Sequence, residues 1–76
     1  MRLLTKSRTP FRGRQLQAGA MRAWRTAADL VWMRWEILRE AGPELRPAAF
    51  AAYLAALDAE ASAAAELAEA SLAHAA

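Results

Sequence analysis

The chain contains no cysteine, which excludes disulfides and thiolate metal sites. Its single histidine, His74, cannot hold a metal ion by itself. Long hydrophobic runs are missing too. The longest uncharged apolar stretch, Pro47 to Leu57, falls far short of the ~20 residues that span a bilayer. Met1–Lys6 has a charged start, but no apolar core of ~7–15 residues follows it, so a signal peptide is not expected. A cytoplasmic protein is expected, and a membrane partner is not favoured. The Arg-rich, acid-free head resembles an organellar transit peptide in composition. Heavy use of Ala and Arg points instead to a GC-rich bacterial genome, where such targeting has no meaning.

Catalytic equipment is equally scarce. There is no Gly-rich phosphate loop and no nucleophile placed beside a base. Asp58, Glu60, Glu66 and Glu69 are scattered over a solvated face instead of converging. His74 lies near a helix end, where its charge would meet the C-terminal dipole favourably. No catalytic, cofactor or metal site is expected, and no small-molecule substrate.

The sorting of charge along the chain is its most informative positive feature. Met1 to Arg25 holds seven basic residues (Arg2, Lys6, Arg8, Arg12, Arg14, Arg22, Arg25) and no acid. Glu44 to Ala76 holds five acids against Arg46 alone, so the net charge of +2 conceals a dipole. Such a head seeks polyanions or acidic surfaces.

At 76 residues the chain makes one domain at most, and a single core at this size is marginal. The hydrophobic fraction is 57%, but 22 of these residues are alanine, which buries little more than a methyl group. At ~25 cal/mol per Å² of apolar area, two alanine-rich helices struggle to offset an ordering entropy of roughly 1.5 kcal/mol per residue. A partner is therefore expected, either a second copy, with a homodimer favoured, or a larger complex.

Periodicity predicts an all-α chain: a two-helix antiparallel hairpin behind a basic, flexible N-terminal arm. The arm is expected over residues 1–14, with Thr9-Pro10 able to start a fragile turn. From Gln15, helical spacing brings Ala20, Trp24, Ala27, Ala28, Val31, Trp35 and Leu38 into one stripe. This helix is expected over 15–41, ended by a left-handed Gly42 and by Pro43. A loop over 42–47 is short enough to join antiparallel neighbours. A second helix is expected over 48–74, with Pro47 near its start and alanine throughout. Its larger residues Phe50, Tyr53, Leu54 and Leu57 are expected to face Trp24 and Trp35, with Trp35 and Leu57 buried. The alanines opposite (Ala52, Ala55, Ala56, Ala59, Ala63, Ala70) suit either a tight packing face or plain exposed helix, and the second reading is favoured.

Two further groups bear on function. Trp32 falls on the polar side of the first helix among Arg25, Asp29 and Glu36, where a large side chain with few rotatable bonds suits an interface. Leu30, Met33 and Ile37 form a second apolar stripe, which a third helix would cover, most economically in a four-helix bundle. Arg14, Arg22 and Arg25 align on one side of the same helix and extend the charge of the arm. The sequence therefore points to a small non-enzymatic helical adaptor that uses its Trp-bearing helix and basic arm. The alternative is a nucleic-acid-binding accessory protein in which the arm contacts phosphates and the hairpin dimerises.

Overall fold

A computed structural model describes residues 9–75, with side chains from Gly13 onward. These residues form two α-helices, α1 (Thr9–Glu40) and α2 (Arg46–Ala75), and no strand. The helices pack along their length as one antiparallel hairpin, a rod of 60 × 18 × 14 Å. Its radius of gyration of 17.7 Å contrasts with about 11 Å for a compact domain of this length.

α1 starts earlier than its apolar period suggests. It runs from Thr9, within the stretch expected as arm, because Pro10 falls in the first turn where a missing N–H costs nothing. The expected contacts at Arg2, Lys6 and Arg8 lie outside the described residues, as does the rest of Met1–Arg8.

The turn differs from the expected glycine cap. No described glycine has a positive φ, so Gly42 does not end α1 in a left-handed conformation. Pro43 provides the stop, since it disfavours helical geometry at the residue before it. The free carbonyls are satisfied locally instead. Ala41 N–H donates to Leu38 O at 3.3 Å, and the Arg46 guanidinium donates to Ala41 O at 3.1 Å. Gly42 O accepts from Leu45 N–H and Arg46 N–H at 3.2 and 2.9 Å, which launches α2 directly from the turn.

Small residues define the seam between the helices. The inward series on α1 is Gly13, Gln17, Ala20, Trp24, Ala27, Val31, Arg34, Leu38 and Ala41, all buried or half-buried. The series on α2 is Ala49, Tyr53, Ala56, Glu60, Ala63, Leu67 and Ala70. Both alternate steps of three and four, the spacing that keeps one stripe facing a partner helix. Small residues recur at seven-residue spacing, Gly13, Ala20 and Ala27 on one side before Arg34 interrupts them, and Ala49, Ala56, Ala63 and Ala70 on the other. Arg34 and Glu60 fit because long polar side chains lay their stems on the seam and carry their heads outward.

Cross-helix contacts fix the register. A Cβ added to Gly13 would sit 3.4 Å from His74 Cα, Gln17 Nε2 donates to Ser71 Oγ at 3.1 Å, and the rings of Trp35 and Tyr53 lie 5.6 Å apart. The residue numbers in each contact add to 87 or 88, so the pairing does not slip from end to end.

This arrangement overturns the expected core. Ala56, on the alanine side expected to face water, is only 3% exposed and is the one buried apolar side chain among the described residues. Trp35, expected inside, is 39% exposed, Phe50 49% and Leu54 44%, while Leu57 is only half-buried. The physical reason is the series of small residues, which brings the backbones close, so that the larger seam residues Trp24, Val31, Leu38, Tyr53 and Leu67 are only half-buried between them.

A direct consequence is that enlarging the seam should harm the fold more than enlarging the surface. Ala56→Leu should destabilise by about 1–3 kcal/mol through overpacking. Ala65→Leu, at an exposed position of the same helix, should change stability by less than about 0.5 kcal/mol. Urea unfolding of both variants checks this, and equal midpoints would contradict the seam.

Candidate functional site: two unlike faces flanking the seam

Large side chains that the seam does not hold emerge along its two flanks. In an antiparallel pair of helices each flank is shared by one strip from each helix. The front flank combines Arg14, Ala18, Met21, Arg25, Ala28, Trp32, Trp35 and Arg39 of α1 with Phe50, Leu54, Leu57, Ala61, Ala64 and Ala68 of α2. The back flank combines Leu16, Gly19, Ala23, Leu30, Met33, Ile37 and Glu40 with Ala52, Ala55, Ala59, Ser62, Glu66, Glu69 and Ala73.

The front flank is aromatic near the turn. Trp32 is 66% exposed, and Trp35 leans on Tyr53 with its ring tilted by 48°. Val31, Trp32, Trp35 and Tyr53 line a shallow groove, and Leu38, Pro43, Arg46, Pro47 and Phe50 line a second one beside it. Tilted aromatic contacts of this kind add about 0.5–1.5 kcal/mol beyond area burial and hold Trp35 upright. Toward the chain ends the same flank becomes basic. Arg14, Arg22 and Arg25 are exposed, with Arg22 one strip further out. No acidic residue occurs on this flank. Asp29 and Glu36 share the outer strip of α1 with Arg22, at seven-residue spacing, and Glu36 is engaged with Arg39 at 3.8 Å.

The back flank has the opposite character. Leu16, Met33 and Ile37 are exposed and Leu30 is half-buried. The acids Glu66 and Glu69 stand near the chain ends beside Leu16, Gly19 and Ala23, where a shallow groove runs between the helices. Among the described residues this flank carries no basic side chain.

The four interface candidates therefore separate. Trp32 lies on the front flank, and Leu30, Met33 and Ile37 lie together on the back. Of the anion-contact candidates, Arg14, Arg22 and Arg25 are brought together on the front, Arg12 falls in the first turns of α1, and Arg2, Lys6 and Arg8 are outside the described residues. Sequence reasoning missed Trp35, Phe50 and Leu54 as surface residues. The seven-residue spacing of Gly13, Ala20 and Ala27 against Ala49, Ala56, Ala63 and Ala70 was the signal that could have revealed them.

No group of His, Asp or Glu residues able to hold a metal occurs among the described residues. No helix among them is long and apolar enough to cross a membrane. His74 is exposed in the last turn of α2, with its Cα and Nδ1 against Gly13. Comparison with protein-family models, curated proteins and solved structures gave no match.

The flanks imply a division of labour between tryptophans. Trp24, half-buried at the seam, should cost about 2 kcal/mol on replacement by Ala, at the low end of core truncations. Trp32→Ala should change the stability of the dilute protein by no more than about 0.5 kcal/mol. Denaturant melts of the two variants measure the difference. A Trp32 loss as large as that of Trp24 would place Trp32 in the fold and not on a binding surface.

Proposed function

We propose that this chain is a non-enzymatic interaction protein whose front flank docks an acidic, partly apolar helical surface of a protein partner. The observation that carries the reading is the composition of that flank. Trp32, Trp35, Phe50 and Leu54 are exposed near the turn, with Arg39, paired to Glu36, beside them and Arg14 and Arg25 toward the chain ends of the same flank. Exposed patches of this kind mark interaction sites in soluble proteins. Tryptophan and arginine are the residue types that dominate binding energy at such sites. Each large apolar side chain fully removed from water contributes about 1.5–3 kcal/mol, so three or four suffice for specific binding once association entropy is met. The arginines then select a partner of negative sign and steer its approach.

A nucleic-acid partner is the second reading, favoured by the alignment of exposed Arg14, Arg22 and Arg25 with the basic residues Arg2, Lys6, Arg8 and Arg12 that precede them. Phosphate binding accounts for the arginines but leaves Phe50, Leu54 and Leu57 without a role. The protein reading uses both.

Site-directed photo-crosslinking from the full chain in its own cells separates the readings. A crosslinking side chain at Trp32 or Leu54 should give discrete protein adducts, and the same group at outward-facing Ala65 should give none. Adducts that disappear with nuclease support the nucleic-acid reading. Duplex binding would then weaken with salt at a log–log slope between roughly −3.5 and −5.5 for four to six neutralised phosphates. Equal yields from all three positions contradict the front flank as a docking surface.

A further inference from the structure

We infer that one occupant of the front flank is the back flank of a second copy of this chain, so that hairpins stack front to back in an open series. This deepens the reading above and rests on it, because it names a partner for the same surface. Two observations support it: the complementarity of charge and the agreement of register.

Neither flank complements itself. Front against front gives the arginines no acid on the facing flank, whichever way the copies are turned, and back against back brings Glu66 and Glu69 into a surface that holds no basic residue. Front against back pairs opposite signs, and it does so without sliding one copy along the other. The cross-helix register places Glu69 level with Ala18 and Glu66 level with Met21. These levels fall within the span of Arg14, Arg22 and Arg25. When one hairpin is laid on the next in the same orientation, the arginines on α1 of one copy come level with the glutamates on α2 of the other, one helix spacing across. The apolar halves coincide in the same pose. Trp32 and Trp35 of the front meet the level of Met33 and Ile37 on the back, where the small Ala52 and Ala55 leave room for indole rings.

Such a contact is heterologous: the patch used on one copy is not the patch used on its neighbour. Every added copy therefore presents a fresh front or back, and the series continues unless its rotation closes into a ring. At the 8–10 Å spacing of packed helices, each copy adds about one helix layer. Large side chains that the seam leaves in water become buried between layers.

Sedimentation velocity of the purified full chain over a dilution series, with and without added salt, tests this. The expected result is growth beyond the dimer as concentration rises, reduced but not abolished by salt. Two charge-reversal variants sharpen it. Arg14→Glu/Arg22→Glu/Arg25→Glu gives both flanks negative charge, and Glu66→Lys/Glu69→Lys gives both positive charge. Each alone should lose assembly and remain a folded monomer by circular dichroism. Mixed in equal amounts they should assemble again, because every front then meets a back of opposite sign. A wild-type chain that stays monomeric overturns the inference, and so does a closed dimer that never grows. So does a mixture that fails to assemble while both variants remain helical. If the wild type is monomeric yet the crosslinker at Trp32 still captures a different protein, the docking role of the front flank stands and the second copy as its occupant does not.

Discussion

Close approach of two helix backbones is the constraint on which this structure depends. Gly13 lies opposite His74, where an added Cβ would sit 3.4 Å from its Cα, and Ala56 is almost fully buried near the middle of the interface. A seam built this way gains dispersion contacts over a long line but, among the described residues, fully buries no large side chain. The hydrophobic effect, which in most small domains buries leucines and aromatics, acts here on methyl groups and on the edges of larger residues. Stability is spread along a rod, and the bulk of the apolar side-chain area is pushed to the flanks.

The two flanks follow from that geometry without further design at the level of the fold. A helix has room for a seam and a strip on each side of it, and the strips on α1 and α2 meet across the groove. Trp35 shows the transition. Its ring reaches Tyr53 across the seam, yet more than a third of it stays in water. Trp32, one strip further round, is 66% exposed at the edge of the groove it shares with Val31, Trp35 and Tyr53. The same displacement sets Leu30, Met33 and Ile37 on the opposite flank, so apolar material lies on both sides of one hairpin. Charge then distinguishes the sides: arginines at the front, glutamates at the back, both toward the chain ends.

Much of the architecture was legible from residue order. Pro43 and Pro47 bracket the turn, and the alanine content of the second half allows only helix. The stripe from Ala20 to Leu38 pointed at the partner helix, because Trp24, Val31 and Leu38 lie at seam spacing. The face of α2 was not legible by the rule that larger residues point inward. Phe50, Tyr53, Leu54 and Leu57 made a plausible core stripe, and only Tyr53 takes a seam position. Size and hydrophobicity rank the stripes in one order, and achievable backbone distance ranks them in the other. The start of α1 was missed for a related reason: Thr9 to Arg14 has no apolar period, and Pro10 with Gly13 reads as irregular. In the hairpin Gly13 is buried opposite His74.

The account stands or falls on which residues of α2 face α1. Methyl NMR of the protein, diluted until it is monomeric, in the presence of a soluble paramagnetic probe reads this directly, residue by residue. The Ala56 methyl should be protected, while those of Leu54 and of Leu72, which is 72% exposed, should broaden strongly. Protection of Leu54 with broadening of Ala56 would mean that the large residues form the core after all, and the small-residue seam would have to be abandoned.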